Sequence, residues 1–222
     1  MEDLKKAVDG STHCNTMQKE AVNMTQKLIL PINKCRITAS YKTTAYSQRF
    51  GFIHYGVDMI SSVGNSTLYA SGNGTVIKTG VDSCFGNIVV VRYDDVYNHK
   101  TGQVQSVICR YYHLASIAPS LEGATINKDT RLGCYGNTGK YSAGAHLHIE
   151  FDSNLESPLS TKTLGKSSDI MRASTTDTTI DPMALLYCKV SEPDCQTISA
   201  DISTFNRMPY ADPSINHLPR VM

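Results

Sequence analysis

The sequence predicts a mainly β, antiparallel domain, and two observations carry that expectation. Short alternating apolar runs recur through the middle of the chain, each bounded by Gly, Asn, Asp or Ser clusters, which is the signature of strands joined by turns. Such runs argue for antiparallel pairing over βαβ units. With 222 residues and 41% hydrophobic content, the chain can bury one core of ordinary size, so one domain with decorated ends is expected.

Taken in order, the first thirty residues place Leu4, Ala7, Met17, Ala21, Met24 and Leu28 among Lys, Glu and Gln. From Thr16 to Leu28 the spacing is helical, which predicts a short amphipathic N-terminal helix broken at Leu30-Pro31. Strand character follows in Cys35 to Tyr41, Thr75 to Lys78, Asn87 to Tyr93, Val104 to Tyr112, Arg131 to Gly133 and Ala145 to Phe151. Lys140 to Ala143 reads as a loop. Residues 152–179, rich in Ser, Thr, Asp and Lys, read as a long surface loop bordering a groove. Ile180 to Leu186 reads as a short closing helix with Pro182 in its first turn. From Cys188 to Met222, the prolines Pro193, Pro209, Pro213 and Pro219 predict an irregular tail. The expected division is an N-terminal helical extension over 1–30, the main domain over 31–187 and the tail over 188–222.

Composition excludes some functions. A net charge of +1 with no Trp and no basic stripe argues against a nucleic-acid partner. There is no 18-residue apolar run, so no membrane span is expected. The start, Met1 to Lys6, is not followed by the hydrophobic core of a signal peptide, so the chain leaves the cell by another route or has lost an export segment. Seven cysteines, an odd number without a C-x-x-C pair, argue against a cysteine zinc knuckle and for mostly reduced, packed thiols. Cys188 and Cys195 are close enough in sequence to leave a pairing open.

Chemistry concentrates in three stretches. In Gly144-Ala145-His146-Leu147-His148-Ile149-Glu150, a strand would point His146, His148 and Glu150 to one face. That face is polar, and each buried polar group on it needs a partner. A His-x-His pair alone is ordinarily a solvated or internally hydrogen-bonded pair. In His54-Tyr55-Gly56-Val57-Asp58, His54 and Asp58 share a side whether the segment is extended or helical. Gly56, lacking a Cβ, would leave room for an ion between them. Alone, these two are equally a charge-stabilised pair. With His148 they make two imidazoles and one carboxylate, the ligand count of a catalytic zinc site whose fourth position is left to water. The third stretch, Arg110-Tyr111-Tyr112-His113-Leu114, follows the apolar Val107-Ile108-Cys109 and places His113 near the end of a strand, as an aromatic packing residue or a second catalytic group.

These motifs, His-x-Gly-x-Asp at 54–58, Tyr-x-His-Leu at 111–114 and Gly-x-His-Leu-His-x-Glu at 144–150, resemble those of the lysostaphin-type, LytM-like zinc metallopeptidases, the Gly-Gly endopeptidases of peptidoglycan. The intervening Tyr69 to Ile77, Phe85 to Val91 and Leu132 to Gly139 are similar too, so the resemblance runs from about Pro31 to about Leu186. It implies an antiparallel β-sheet groove domain of that type and Zn²⁺ held by His54, Asp58 and His148. It also implies His113 and His146 as catalytic groups beside the open position, one taking the proton from water and the other stabilising the oxyanion or protonating the leaving amine. No H-E-x-x-H glutamate base is present, which favours a histidine base. Glu150 is read as orienting a histidine, and Asn87 and Tyr111 as ordinary strand residues. The implied substrates are the peptides of bacterial peptidoglycan, cut by a monomer acting at the cell wall, whether secreted, periplasmic or phage-delivered as an endolysin. The alternative is a non-catalytic wall-binding or assembly protein on the same fold. A third possibility is a closed structural site with His113 or His146 on the metal.

Overall fold

A computed structural model of the chain describes residues 25–156, 177–190 and 197–200. Its elements are β1 (Leu28–Ile29), β2 (Lys34–Ala39), α1 (Thr44–Phe50), β3 (Val57–Ser61), β4 (Thr67–Tyr69), β5 (Gly74–Asp82), β6 (Gly86–Asn98) and β7 (Gln103–Ile117). After these come β8 (Thr125–Ile126), β9 (Arg131–Tyr135), β10 (Leu147–Asp152), β11 (Thr179–Ile180), a 3₁₀ turn at Pro182–Ala184, β12 (Leu186–Val190) and β13 (Thr197–Ala200). The strands form one sheet in the order β1-β12-β13-β2-β3-β10-β7-β6-β5-β8, with β11 on β10 and with β9 joining β4 to β7. Among the described strands, β1 pairs with β12 in parallel and the other strand pairs are antiparallel; the fold is the expected mainly β, antiparallel one.

The centre of the sheet separates core from chemistry by the two-residue period of its strands. Val89 and Val91 of β6, Cys109 and Tyr111 of β7, and Ile149 and Phe151 of β10 all enter the main hydrophobic core. Their alternates turn to the other face, where Val90, Ile108 and Tyr112 form a second, smaller apolar layer. His148, Glu150 and Asp152 share that second parity. Each apolar side chain buried in the main core contributes about 1.5–3 kcal/mol, which fixes the register. A slip of one residue would send the histidines into the core.

The structure differs from expectation at four places. The helix foreseen from Thr16 to Leu28 does not extend over its described part: Gln26 bridges Val96, and Leu28 and Ile29 pair with Leu186 and Tyr187. Leu28, Ile29, Leu30 and Ile32 are all buried, a two-sided burial that an extended segment meets and a one-faced helix does not. Residues 16–24 lie outside the described residues. The tail is not irregular throughout, since Cys188 to Val190 and Thr197 to Ala200 are strand. Distant Lys34 to Arg36 supplies the pairing edge for β13. Finally, α1 was not foreseen: none of its residues is buried, so it lacks the apolar stripe that marks a helix. The closing helix over Ile180 to Leu186 is reduced to the 3₁₀ turn, capped by Asp181 accepting from the Met183 N–H.

Among the described residues no helix is long and apolar enough to cross a membrane. Cys35, Cys84, Cys109, Cys134 and Cys188 are free thiols, and burial pushes the Cys35 thiol up to about 12. Cys14 and Cys195 lie outside the described residues.

The turn between β6 and β7 docks on the C-terminal segment through His99, whose N–H donates to the Ala184 carbonyl at 3.0 Å. Its ring meets Tyr187 edge-on at 5.0 Å. Burial pushes the imidazole down to about 4, against the pull of backbone hydrogen bonds at Leu186 and Met183. A folded-state value below the ordinary 6.5 means that the fold favours the neutral ring, so its contribution is present above pH 6.5 and is lost as pH falls towards 4. The acid loss expected from this residue is on the order of 2–3 kcal/mol. Urea titrations at pH 7 and pH 4 check it: His99→Phe should show a smaller acid loss than the wild type, and equal losses would exclude the assignment.

Candidate metal centre

The sheet register builds the site. β10 runs antiparallel between β3 and β7, placing His148 opposite Asp58 on one side and opposite Tyr112 on the other. His54 arrives from the irregular segment between α1 and β3, not from a strand. Its Nδ1 lies 2.9 Å from the Ser40 carbonyl; a carbonyl only accepts, so Nδ1 carries the proton and Nε2 keeps its lone pair. That Nε2 is 3.1 Å from Asp58 Oδ1 and 3.1 Å from His148 Nδ1, and His148 Nδ1 is 2.9 Å from Asp58 Oδ1. Tyr46 of α1 stacks on the His54 ring at 4.3 Å, and Tyr112 stacks on His148 at 5.5 Å.

The donor set fits a divalent ion. Two imidazole nitrogens and one carboxylate oxygen lie within 4.8 Å of one another, and His54 and Asp58 are buried. Their separations of 2.9–3.1 Å approach the ~3.3 Å edge of a tetrahedron with ~2.0 Å bonds. Burial opposes ionisation of Asp58, yet the adjoining His54 and His148 imidazoles hold its carboxyl well below the usual range. Burial likewise opposes charge on His148, but the Asp58 and Glu150 carboxylates lift it to about 9.

Gly56 acts differently from the expectation. A Cβ there would meet His148 Nε2 and the Ile149 carbonyl oxygen, each at 2.5 Å. The missing side chain makes room for the His148 ring and the β10 backbone, not for an ion between His54 and Asp58.

His113 and His146 flank the three donors. The His113 ring centroid is 4.9 Å from that of His146 and 6.1 Å from that of His148, and His146 Nε2 is 3.6 Å from Asp58 Oδ1. His113 holds a left-handed φ of 64°, a conformation that costs a non-glycine residue about 1 kcal/mol or more. It lies inside β7, short of the strand's end. Its N–H donates to the Phe85 carbonyl and its carbonyl accepts from the Gly136 N–H, both at 2.9 Å. Its Nδ1 is 2.8 Å from the Thr138 carbonyl, and His146 Nδ1 is 2.7 Å from the Gly144 carbonyl. Both rings therefore keep a free Nε2. Burial, followed by the charges of His148 and His146, pushes His113 down to about 4. Thr138 can approach because Gly86 lacks a side chain, a Cβ at that glycine falling 2.2 Å from Thr138 Oγ1.

Beneath the donors runs an ionic layer. Fully buried Arg110 donates through Nη1 to Glu150 Oε1 at 2.8 Å and to Asp152 Oδ2 at 3.1 Å. The other Glu150 oxygen is 3.9 Å from His148 Nε2, placing the carboxylate behind a histidine as foreseen. Arg110 and Asp152 were missed. The signal was an arginine inside an apolar strand, with acidic residues at two alternate positions of a later one. Asn87 and Tyr111 are structural: Asn87 Nδ2 donates to the Leu114 carbonyl at 2.8 Å, and the Tyr111 hydroxyl bonds Ser71 and Tyr93.

Fold and site together define a β-sheet protein with a mixed imidazole and carboxylate centre on an open sheet face. Residues 52–159, which include every one of these histidines and Asp58, match the model of Peptidase family M23. That segment is similar to the family, whose members are metallopeptidases. Over 97 residues it is 33% identical to the peptidoglycan DD-endopeptidase ShyA of Vibrio cholerae serotype O1, covering 44% of this chain and 20% of that protein. Over 123 residues it is 28% identical to ShyC, another peptidoglycan DD-endopeptidase of the same organism, covering 54% and 25%. The chain thus spans about a fifth to a quarter of the curated relatives' length. A crystal structure of a zinc-containing peptidase from Vibrio cholerae aligns at 23% identity with a TM-score of 0.46, covering 57% of this chain and 37% of that one.

Proposed function

We propose that the chain is a zinc-dependent endopeptidase that hydrolyses peptide bonds of bacterial peptidoglycan, working as a monomer at the cell wall, with its catalytic unit within residues 31–187. One observation carries this reading: three donors from separate segments converge beside two histidines whose protonated nitrogens are already engaged by backbone carbonyls. The family match and the DD-endopeptidase relatives support the substrate class.

His54 Nε2, Asp58 Oδ1 and His148 Nδ1 would hold the ion. Bound there, zinc supplies Lewis acidity, polarising the scissile carbonyl and making water a nucleophile near neutral pH. The residues do the rest. His113 Nε2 and His146 Nε2 are the two free bases on the open side; one takes a proton from the attacking water and returns it to the amide nitrogen as the C–N bond breaks. The other, once protonated, donates a hydrogen bond to the developing oxyanion. Their Nδ1 bonds to Thr138 and Gly144 hold each ring in the required tautomer.

The test is digestion of purified peptidoglycans of differing cross-link chemistry, with mass spectrometry of the released peptides. His113→Ala should retain the metal and lose about a hundredfold or more in rate, the usual share of a positioned base. Metal loss in that variant would place His113 on the ion. Failure of the zinc-loaded wild type on every wall would favour the non-catalytic alternative.

A further inference from the structure

The centre opens into a groove of about 460 Å³ lined by α1, by loop 140–145, and by Asp58 and His146 at the chemical end. Its apolar surface is aromatic: Tyr46, Phe50, Phe52 and Tyr141 all face it, and Phe52 meets Tyr141 edge-on at 5.8 Å. Apart from Asp58, the charged groups on this lining are both cations, Arg49 from the last turn of α1 and Lys140 from the loop. Each lies against a groove aromatic: the Arg49 guanidinium is 5.1 Å from the Phe50 ring centroid and the Lys140 ammonium 5.7 Å from that of Tyr141. Neighbouring Lys42 is engaged by Asp177, whereas neither Arg49 nor Lys140 forms an ion pair among the described residues.

We propose that Arg49 and Lys140 form a carboxylate clamp, so that the groove selects peptides bearing a free carboxylate near the scissile bond over uncharged ones. The proposal rests on the peptidoglycan reading above and narrows it to acidic stem peptides, as opposed to glycine bridges, which carry no charge for the clamp. Positive charge from two separate segments, focused beside aromatic walls, favours an anionic occupant. An arginine adds planar, two-point recognition of a carboxylate that a lysine alone does not give. The aromatic rings keep both cations near the groove.

Two synthetic cross-linked stem dimers, identical except that one carries free carboxylates and the other carboxamides, provide the test. Binding is read by fluorescence anisotropy on the full, zinc-loaded chain carrying His113→Ala, so that turnover does not intervene. The carboxylate dimer should bind about tenfold more tightly, the combined effect of two exposed charge contacts, and the margin should shrink as salt rises. Adding Arg49→Gln and Lys140→Gln should abolish the preference; both side chains are exposed, so these substitutions keep the fold. Equal binding of the two dimers, binding of neither, or a preference that survives the double substitution would each overturn the clamp. Parallel digestion by the wild type separates the two ideas. Cleavage without a carboxylate preference sinks the clamp alone, and preferential binding without cleavage sinks the hydrolase and leaves the clamp.

Discussion

Replacing His148 with Ala is expected to abolish zinc uptake and to lower peptidoglycan cleavage by about a thousandfold or more, as follows when several kcal/mol of transition-state stabilisation disappear. His148 is the donor that joins the other two, since its Nδ1 lies 2.9 Å from Asp58 Oδ1 and 3.1 Å from His54 Nε2. Without it, one imidazole and one carboxylate remain, too few to outcompete water for the ion. The loss should be specific to function, because the His148 side chain lies on the site face of β10 while Ile149 and Phe151 hold the strand in the core. Metal content by atomic spectroscopy, read beside the digestion rate, checks the prediction. Full zinc occupancy in the variant would move the centre elsewhere.

The second large effect is on stability. Arg110→Met should cost about 3–5 kcal/mol, because it leaves two buried carboxylates without their shared cation. Glu150 and Asp152 are 1% and 0% exposed, so water does not take over the guanidinium's role. For a chain of this size the thermal midpoint should fall by roughly 10 °C. Neutralising the pair as well, with Glu150→Gln and Asp152→Asn, should restore part of the loss, since apolar or neutral replacements of a whole buried ionic group are far less costly than removing one partner. An unchanged midpoint in the single variant would show that the network contributes little.

The site was more legible than the frame around it. His146 and His148 could be singled out because polar residues at alternate positions of an apolar stretch are expensive to bury without a purpose, His54 and Asp58 because their spacing puts them on one side in either conformation, and His113 through its Tyr-x-His-Leu motif. The structure brings all five together, although Gly56 serves the His148 ring and the β10 backbone. The central strands were readable because each alternates with a period of two. What escaped were elements whose reason lies far away in the sequence. Helix α1 carries no buried stripe and is marked only by its Gly51 stop, where a φ of 80° ends the last turn. The strand at Leu28 exists because Leu186 pairs with it, and β13 because Lys34 to Arg36 offers an edge; local spacing holds neither fact. The Arg110 layer is similar, its acidic partners coming from a strand forty residues further along.

An X-ray absorption or anomalous-diffraction measurement on the zinc-loaded protein tests the central claim most directly. It should find one ion per chain, bound by His54 Nε2, Asp58 Oδ1 and His148 Nδ1, with His113 and His146 off the metal. An ion ligated by His113 or His146, or one bound away from Asp58, would contradict the account.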